Sequence, residues 1–414
     1  MAKKNSKKTV PELRFRGFTD PWEQRQLGEV GLTYPGLSGK TKEDFGHGDA
    51  RFVTYMNVYS NAVANPDGVE AIEKDDRQHE VMNGDVFFTG SSETPDEVGL
   101  SSVWLGNSTD TYLNSFCFGY RPSKQLDSLF LASSLRSPQM RSRIILLAQG
   151  ISRFNISKTQ VMQLPLCFPS LPEQHLIGKF FSTLDSLIAA AERQEALLKQ
   201  KKQAYLQLMF PREGETQPRL RFSGFIQNWR MHRMSEMVAP LNSIQQIMPD
   251  RDIEYRLWSV PSFQLGVPEN VRGSRIMSSK LVLERDDILL SKINPRIQRI
   301  WRVDSDGTLP DVGSTEWVVF RAKPSKASPL FLKALLSSPL FYRYMVSTEK
   351  GATGSQKRAD KTLLMSSCYW LPSLSEQQRI GAFFHLVDAT LLTVQRNLAG
   401  LKELKRAYLQ RMFI

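Results

Sequence analysis

Residues 171–210 read LPEQHLIGKFFSTLDSLIAAAERQEALLKQKKQAYLQLMF, and residues 374–413 repeat this stretch as LSEQQRIGAFFHLVDATLLTVQRNLAGLKELKRAYLQRMF. Both copies begin with the same Leu-x-Glu-Gln pattern and end with the same Ala-Tyr-Leu-Gln-x-Met-Phe sequence. Neither copy contains a proline beyond its first turn, so each is predicted to form one long helix. A repeat of this length indicates a duplicated architecture.

Apolar residues recur in both copies with an average spacing of 3.5 residues, which is typical of a coiled coil. The first seam consists of Ile177, Phe181, Leu184, Ile188, Leu198 and Tyr205. The second seam consists of Ile380, Phe384, Val387, Leu391, Val394, Leu398, Leu401 and Tyr408. Two ordinary amphipathic core helices are the alternative, which the length and regularity of the pattern disfavour.

Charged residues interrupt the seams. Lys405 interrupts the second seam, and Glu195 and Lys202 interrupt the first. Two explanations remain open for the first seam: the charges pair with the opposite helix, or they face a partner protein. Because the two seams are so alike, we expect the helices to pack on each other.

The repeat extends beyond the helices. Pro11–Phe18 followed by Trp22 matches Pro218–Phe225 followed by Trp229, and we call each copy the lead-in motif. The predicted segments are an N-terminal tail with the first lead-in motif (1–21), a first globular domain (22–166), a first long helix (167–210), a linker with the second lead-in motif (211–228), a second globular domain (229–370) and a second long helix (371–414).

Both globular domains mix short β-like runs with few long helices. The runs lie at 52–55, 85–89 and 112–120 in the first domain and at 287–290 and 317–320 in the second. Gly, Asn, Asp and Pro bound many of these runs, as is typical of strands joined by turns. A shorter match, Leu129–Pro138 against Leu330–Pro339, predicts a helix ended by proline in each domain. The predicted fold class is α+β.

Composition favours an anionic partner. The chain has 414 residues, a formal net charge of +12 and a pI of about 9.5, which favours nucleic acid over a membrane surface. Its cysteines, Cys117, Cys167 and Cys368, lie far apart and predict no disulfide framework. Because no apolar run approaches the ~18 residues of a transmembrane helix, we expect a cytoplasmic protein.

No motif in the sequence predicts a catalytic residue, a bound cofactor or a metal ligand. Gly39-Lys40-Thr41 ends like a phosphate-binding loop, but Tyr34 stands where that loop requires a glycine. The histidines are scattered, without partners at ligand spacing. An enzyme that cleaves or modifies DNA itself is therefore the less favoured reading.

Polar clusters suited to DNA lie in both globular domains. Arg and Lys side chains bond guanine edges or phosphates, and Asn and Gln pair with adenine. The candidates in the first domain are Ser91, Ser92, Thr94, Arg153, Asn155 and Lys158. The candidates in the second domain are Lys292, Asn294, Arg296, Gln298, Arg299, Gln356, Lys357, Arg358 and Lys361. Solvated polar loops are the alternative for any single residue.

The repeated motifs resemble the specificity subunit of type I restriction–modification enzymes. The resemblance rests on the Pro-Ser-Leu-x-Glu-Gln starts at Pro169 and Pro372, the Ile-Gly-x-Phe-Phe sequences that follow, the lead-in motifs and the shared helix ends. It covers essentially the whole chain and implies two target-recognition domains, joined by two antiparallel helices that form a coiled coil in a pseudo-twofold arrangement.

The resemblance also implies a division of labour. Each domain would read one half of a bipartite, asymmetric target in double-stranded DNA, and the helices would set the spacing. The helices would also dock two modification (methyltransferase) subunits, which restriction (translocase–endonuclease) subunits would join. AdoMet, ATP and Mg²⁺ would belong to those partners. A specificity component of a methylation-only system and a coiled-coil protein without a DNA role remain as alternatives.

Overall fold

The computed structural model describes residues 10–107, 109–239, 244–246, 253–351 and 357–414. The chain divides into two compact units: unit 1 comprises Met1–Glu192 and Arg396–Ile414, and unit 2 comprises Arg193–Gln395. Each unit therefore contains one globular domain and a part of each long helix. In the ranges described, no helix has the length and apolar character needed to cross a membrane.

Unit 1 is built mainly from short strands. The strands are β1 (Glu23–Gln26), β2 (Gly31–Pro35), β3 (Phe45–Val53), β4 (Val69–Ile72), β5 (Val86–Thr89), β6 (Ser91–Ser92), β7 (Ser101–Val103), β8 (Thr111–Leu113), β9 (Cys117–Pro122), β10 (Phe154–Asn155) and β11 (Pro165–Phe168). The helices are α1 (Tyr55–Ser60), α2 (Ser128–Leu135), α3 (Pro138–Ile145), α4 (Lys158–Met162) and the first long helix, α5 (Leu171–Leu208), which continues into unit 2.

Two sheets form the scaffold of unit 1. One has the strand order β2-β9-β5-β7, and the other has the order β4-β3-β8 with β3 and β8 parallel. A separate pair, β1 with β11, brings the chain that follows the lead-in motif beside the start of α5. The core contains Val86, Phe88 and Phe118 from the first sheet, together with Phe130 from α2 and Phe181 from α5.

Unit 2 repeats this plan. Its strands are β12 (Arg230–Arg233), β13 (Val238–Ala239), β14 (Ile244–Gln245), β15 (Glu254–Trp258), β16 (Glu269–Arg272), β17 (Lys280–Val282), β18 (Ile288–Ser291), β19 (Ile300–Arg302), β20 (Asp311–Gly313), β21 (Trp317–Ala322), β22 (Glu349–Lys350), β23 (Arg358–Ala359) and β24 (Cys368–Leu371). Its helices are α6 (Met234–Met237), α7 (Val260–Leu265), α8 (Pro329–Leu336), α9 (Pro339–Ser347), α10 (Lys361–Ser366) and the second long helix, α11 (Leu374–Met412), which continues into unit 1.

The sheets of unit 2 correspond to those of unit 1. The order β13-β21-β18-β19 matches the first sheet of unit 1, and β12 pairs with β24 as β1 pairs with β11. A sheet ordered β14-β17-β20-β15-β16 contains a parallel pair, β15 with β20, like that of β3 with β8. Both units are therefore α+β, and the predicted fold class, two such domains joined by two long helices, is confirmed.

The two long helices pack antiparallel within each unit. In unit 1 the rings of Phe180 and Tyr408 lie 5.0 Å apart, and Lys405 forms an ion pair with Asp185. From the first contact to the second, the residue number rises in α5 and falls in α11, so the two helices run in opposite directions. Every residue of the two predicted seams is buried or half-buried, as expected for an apolar contact face.

The equivalent contacts recur in unit 2. The rings of Tyr205 and Phe383 are 5.0 Å apart, and Lys202 Nζ lies 2.6 Å from Asp388 Oδ1. Gln395 Nε2 donates to Glu195 Oε1 at 2.9 Å. Lys202 therefore pairs with a charge on the opposite helix, as one of the two explanations predicts, whereas Glu195 accepts from a neutral amide there and forms its ion pair with Lys199 of its own helix.

Each lead-in motif ties the start of one long helix to the end of the other. Arg14 donates from Nε and Nη2 to the two oxygens of Glu173 at 2.6 and 2.8 Å. One residue earlier, the Leu13 amide donates to the Arg411 carbonyl at 2.9 Å. Because Glu173 lies in the first turn of α5, its buried carboxylate is also close to the positive end of that helix. The motif is thus a connector between the two long helices, held by an ion pair to a buried carboxylate.

Unit 2 contains the same connector. Arg221 donates to both oxygens of Glu376 at 2.9 and 2.7 Å, and the Leu220 amide donates to the Leu208 carbonyl at 2.9 Å. Glu376 lies in the first turn of α11 and is buried.

Glycine allows each long helix to approach a short helix of its own unit. A Cβ atom on Gly178 would lie 2.7 Å from the Phe130 amide nitrogen in α2, and one on Gly381 would lie 2.6 Å from the Phe331 amide nitrogen in α8. These distances are shorter than van der Waals contact, so a side chain at either position would push the helices apart. The glycine of the Ile-Gly-x-Phe-Phe motif therefore has a packing role.

Three local expectations were wrong. The run at 112–120 is two strands, β8 and β9, separated by a turn in which the Phe116 amide donates to Asn114 Oδ1. Tyr55 begins α1 instead of ending a strand. The short helices predicted before Pro138 and Pro339 are present as α2 and α8, but the prolines do not belong to them. Each proline begins the next helix, with Ser137 or Ser338 as the cap, because proline suits the first helical turn.

Candidate nucleic-acid interface

Two segments meet at one end of the first sheet of unit 1. Strand β6 follows β5 directly and pairs with β10, with Ser91 opposite Asn155 and Ser92 opposite Phe154. Arg153 Nε donates to Ser91 Oγ at 2.9 Å. Candidates more than 50 positions apart in the sequence, at 91–92 and 153–155, therefore share one surface.

The candidates of unit 1 differ in exposure. Ser91 and Ser92 are buried, and their hydroxyl groups bond within the protein. Thr94, Arg153, Asn155 and Lys158 are exposed. Lys158 is the first residue of α4, and its ammonium group lies 5.9 Å from the centre of the Phe118 ring. The exposed side chains present donors and acceptors to solvent, whereas the two serines hold the loops in place.

An open groove of about 410 Å³ lies beside these residues. Its lining includes residues that the sequence did not identify as candidates for DNA contact: Tyr55, Met56, Tyr59, Glu93, Glu97 and Phe116. The Arg153 guanidinium lies over the Phe116 ring at 5.2 Å. These residues come from α1, the loop before β9 and the segment after β6, so no spacing in the sequence groups them. The sequence feature that could have pointed to this groove is the Asn-Ser-Phe turn at 114–116. In the structure the Phe116 ring at its end is exposed.

Unit 2 brings two corresponding segments together. The Asn294 amide donates to the Lys357 carbonyl at 2.9 Å, and the Ala359 amide donates to the Lys292 carbonyl at 2.8 Å. Asn294 has a φ of +45°, which asparagine tolerates better than most residues. Lys292, Asn294, Lys357 and Arg358 therefore lie together. Gln356, the remaining candidate of this segment, lies outside the described residues.

Acidic neighbours balance much of the positive charge in unit 2. Arg296 and Lys357 lie 3.0 and 2.7 Å from Glu349 Oε1, and Arg358 lies 3.1 Å from Glu316 Oε1. Hydrogen bonds from Lys357 and then Arg296 lower the pKa of Glu349, so its carboxylate is ionised at neutral pH. This differs from unit 1, where Arg153 bonds to a serine.

The remaining candidates of unit 2 occupy varied settings. Gln298 donates to the Leu336 carbonyl at 2.7 Å and so supports the protein's own backbone. Arg299 is half-buried, with Nη1 3.5 Å from the Ile297 carbonyl. Lys361 is exposed and is the first residue of α10. Of these three side chains, Lys361 is the most accessible to a ligand.

Among the described residues, no group of three or more His, Cys, Asp or Glu side chains is arranged to hold a metal ion. What both units offer is a polar surface made by two loops on a rigid sheet. Backbone pairing fixes these loops, and exposed donors and acceptors project from them. Such a surface suits the recognition of base edges and phosphates.

The chain is similar to several known proteins of one kind. Residues 19–200 match the model of the type I restriction modification DNA specificity domain. The chain is 23% identical over 319 residues to the StySPI type I restriction enzyme specificity subunit of Salmonella potsdam, covering 72% of this chain and 67% of that protein. It is also 23% identical over 196 residues to a specificity subunit assigned to the MjaX type I restriction enzyme of Methanocaldococcus jannaschii, covering 46% of each.

A solved structure shares the fold. The S subunit of a type I restriction–modification system from M. genitalium superposes with a TM-score of 0.60 at 14% identity, covering 98% of this chain and 99% of that one. Three observations point to the same class of protein: the duplicated α+β plan, the match to the DNA specificity domain, and the similarity to specificity subunits. Residues 19–200 match the DNA specificity domain, and the chain is similar in sequence and fold to the specificity subunits of type I restriction–modification systems.

Proposed function

We propose that this chain is the non-catalytic DNA-reading subunit of a type I restriction–modification complex. In this proposal residues 22–166 and 229–370 are target-recognition domains, and each reads one half of a bipartite, asymmetric DNA target. The observation that carries the proposal is the paired-loop surface, which recurs in both units on the same sheet with different side chains. A corresponding scaffold with divergent side chains is what two separate readout tasks require.

The readout is divided between charge and base contacts. The net charge of +12 supplies attraction to phosphates that does not depend on sequence and weakens as salt rises. The exposed Arg153, Asn155, Lys158 and Lys361 side chains are proposed to contact DNA directly. Each well-placed base contact contributes about 1–3 kcal/mol of discrimination.

The long helices are proposed to set the distance between the half-sites and to dock two methyltransferase subunits, which restriction subunits then join. Holding two readers on stiff helices raises the effective concentration for the second contact when the spacing matches the DNA. We assign the AdoMet, ATP and Mg²⁺ of the reactions to those partners.

Single-molecule sequencing of adenine methylation in the native cells tests this function. Deleting the gene should remove one bipartite methylated motif, whereas an unchanged methylome would contradict the proposal.

Exchange of residues 22–166 for those of a relative should then change one half of that motif only. A change in both halves would show that the domains are not independent readers.

A further inference from the structure

The groove of unit 1 is lined by two carboxylates, Glu93 and Glu97, where DNA-binding surfaces usually carry positive charge. Glu97 lines this groove together with Tyr55, Tyr59, Phe116 and Arg153. DNA phosphates repel a carboxylate, so its presence lowers affinity for DNA in general. It favours binding only where a hydrogen-bond donor of the ligand meets it. A carboxylate in a reading groove is therefore suited to discrimination more than to affinity.

Hydrogen bonds from its neighbours orient the Glu97 carboxylate. The Tyr59 hydroxyl donates to Oε1 at 2.6 Å, and the Ser92 hydroxyl donates to Oε2 at 3.0 Å. The bond from Tyr59, followed by that from Ser92, lowers the pKa of Glu97, which keeps the group ionised. The Thr94 side chain also hydrogen-bonds to Glu97. Because the two carboxylate oxygens together offer about four acceptor positions, the group can still accept a hydrogen bond from a ligand.

The backbone that carries Glu97 is also held firmly. The half-buried Arg141 guanidinium donates to the carbonyls of Asp96, Val98 and Gly99 at 2.9, 2.9 and 2.8 Å. Thr89 Oγ1 donates to the Glu97 carbonyl at 3.2 Å. A side chain whose supporting groups are already fixed loses little conformational entropy when it binds a base. Glu97 is thus an acceptor held in place before DNA arrives.

The aromatic side chains complete the site. The Tyr55 and Tyr59 rings stack with their centres 6.2 Å apart, and the Phe116 ring is half exposed beneath Arg153. Flat apolar surfaces of this kind pack against the faces and edges of bases. Arg153 supplies the positive charge that such a contact needs beside the phosphate backbone. The groove combines an acceptor, a cation and an apolar wall.

We propose that Glu97 reads a cytosine in the half-site of the first recognition domain by accepting a hydrogen bond from the 4-amino group in the major groove. This inference rests on the proposed DNA-reading function. Cytosine suits a carboxylate because its amino group is a donor without a neighbouring acceptor on the same base. Adenine also has an amino group, but its N7 acceptor lies beside that group and would repel the carboxylate.

The proposal is specific to one half-site. The segment after β18 that corresponds to the Glu97 segment reads KINPRIQR at 292–299 and contains no acidic residue. Loss of the Glu97 carboxylate should therefore alter the motif in one half and leave the other half unchanged.

The test uses the full chain in complex with its methyltransferase subunits. Duplexes with a randomised core are selected by the wild-type complex and by Glu97→Gln, and the bound fraction is sequenced. Glutamine keeps an acceptor for Tyr59, so the loop should stay in place. The variant should lose about tenfold or more in preference at one C·G pair of one half-site. Asp96→Asn is the matched control, because it removes the same charge one residue away from the groove and should keep the wild-type motif.

Once that C·G pair is known, a second test removes the single amino group that Glu97 is proposed to contact. In a duplex whose cytosine lacks the 4-amino group, the wild-type complex should lose about tenfold in affinity. The Glu97→Gln complex should lose much less, because its contact is already absent. Equal losses in both complexes would overturn the proposal.

Three other outcomes are informative. A wild-type complex without a bipartite preference would refute the proposed function itself. A clear wild-type motif that Glu97→Gln leaves unchanged, or a uniform loss of affinity for all sequences, would overturn the role of Glu97 alone. Relaxed preference at an A·T pair would overturn the assignment to cytosine.

Discussion

Arg14 and Glu173 form a two-pronged ion pair in which the Glu173 side chain is 1% exposed and that of Arg14 is 11% exposed. Arg221 and Glu376 form the same pair in unit 2, with 18% and 1% exposure. A buried pair of this kind is costly to break by removing one partner, because the other charge then lies uncompensated in the protein. The lead-in motif is therefore expected to matter for stability out of proportion to its length.

Glu173→Gln should lower the free energy of unfolding by about 3 kcal/mol, because Arg14 loses its buried counter-charge. Thermal unfolding followed by circular dichroism measures the effect. Glu215→Gln is the control: it breaks the exposed pair with Arg219 and should cost about 0–1 kcal/mol. Equal effects of the two substitutions would contradict a special role for the buried pair.

Gly178→Ala should destabilise unit 1 by about 1–3 kcal/mol, because the added methyl group overlaps the start of α2. Gly400→Ala provides the opposite case, because Gly400 lies within α11 with nothing within 4 Å of its added Cβ. That substitution should stabilise the chain by about 0.5–1 kcal/mol through helix propensity. Urea unfolding of both variants tests the difference in sign. A gain in stability for Gly178→Ala would disprove the close approach.

Asp388→Asn should reduce stability by about 1–3 kcal/mol at neutral pH, because Lys202 and Lys333 lose the carboxylate between them. Burial would raise the pKa of Asp388, but Lys333 and Lys202 outweigh it and the pKa lies below its usual 3.8. Since the folded pKa is depressed, this stabilisation is present above the unfolded pKa and is lost as pH falls through the folded pKa.

The difference between wild type and Asp388→Asn should therefore narrow as pH falls below about 4, when the carboxylate becomes protonated. Urea unfolding at a series of pH values measures this. Asp76→Asn, at a side chain that is 90% exposed, is the control and should show no such narrowing. A constant difference across the pH range would show that the charge of Asp388 does not contribute.

Arg153→Ala should weaken DNA binding and reduce the slope of log affinity against log salt by about one. Arg296→Ala should change that slope less, because Arg296 lies 3.0 Å from Glu349 and its charge is already balanced. Fluorescence anisotropy of the methyltransferase complex across a salt series measures both variants. A larger slope change for Arg296→Ala would mean that its pair with Glu349 opens on DNA.

The duplicated plan follows from the sequence alone. Repetition and heptad spacing are linear patterns, and the apolar periodicity of α5 and α11 identifies the faces that are buried. The lead-in motif is also recognisable in the sequence as a repeat. The sequence does not show that Arg14 pairs with Glu173. Side-chain type also predicts polar loops suited to DNA, since donors and acceptors of this kind lie near strand ends in both domains.

Tertiary structure decided which distant groups meet. Glu97, Tyr59 and Phe116 share a groove because the segment after β6, helix α1 and the loop before β9 converge there, and no sequence spacing encodes that convergence. It also decided which candidates are accessible: Ser91 and Ser92 became buried supports, and Arg296 gained Glu349 as a counter-charge. Local periodicity reports which face of an element is apolar, whereas contacts across long sequence separations depend on how the sheets and helices pack.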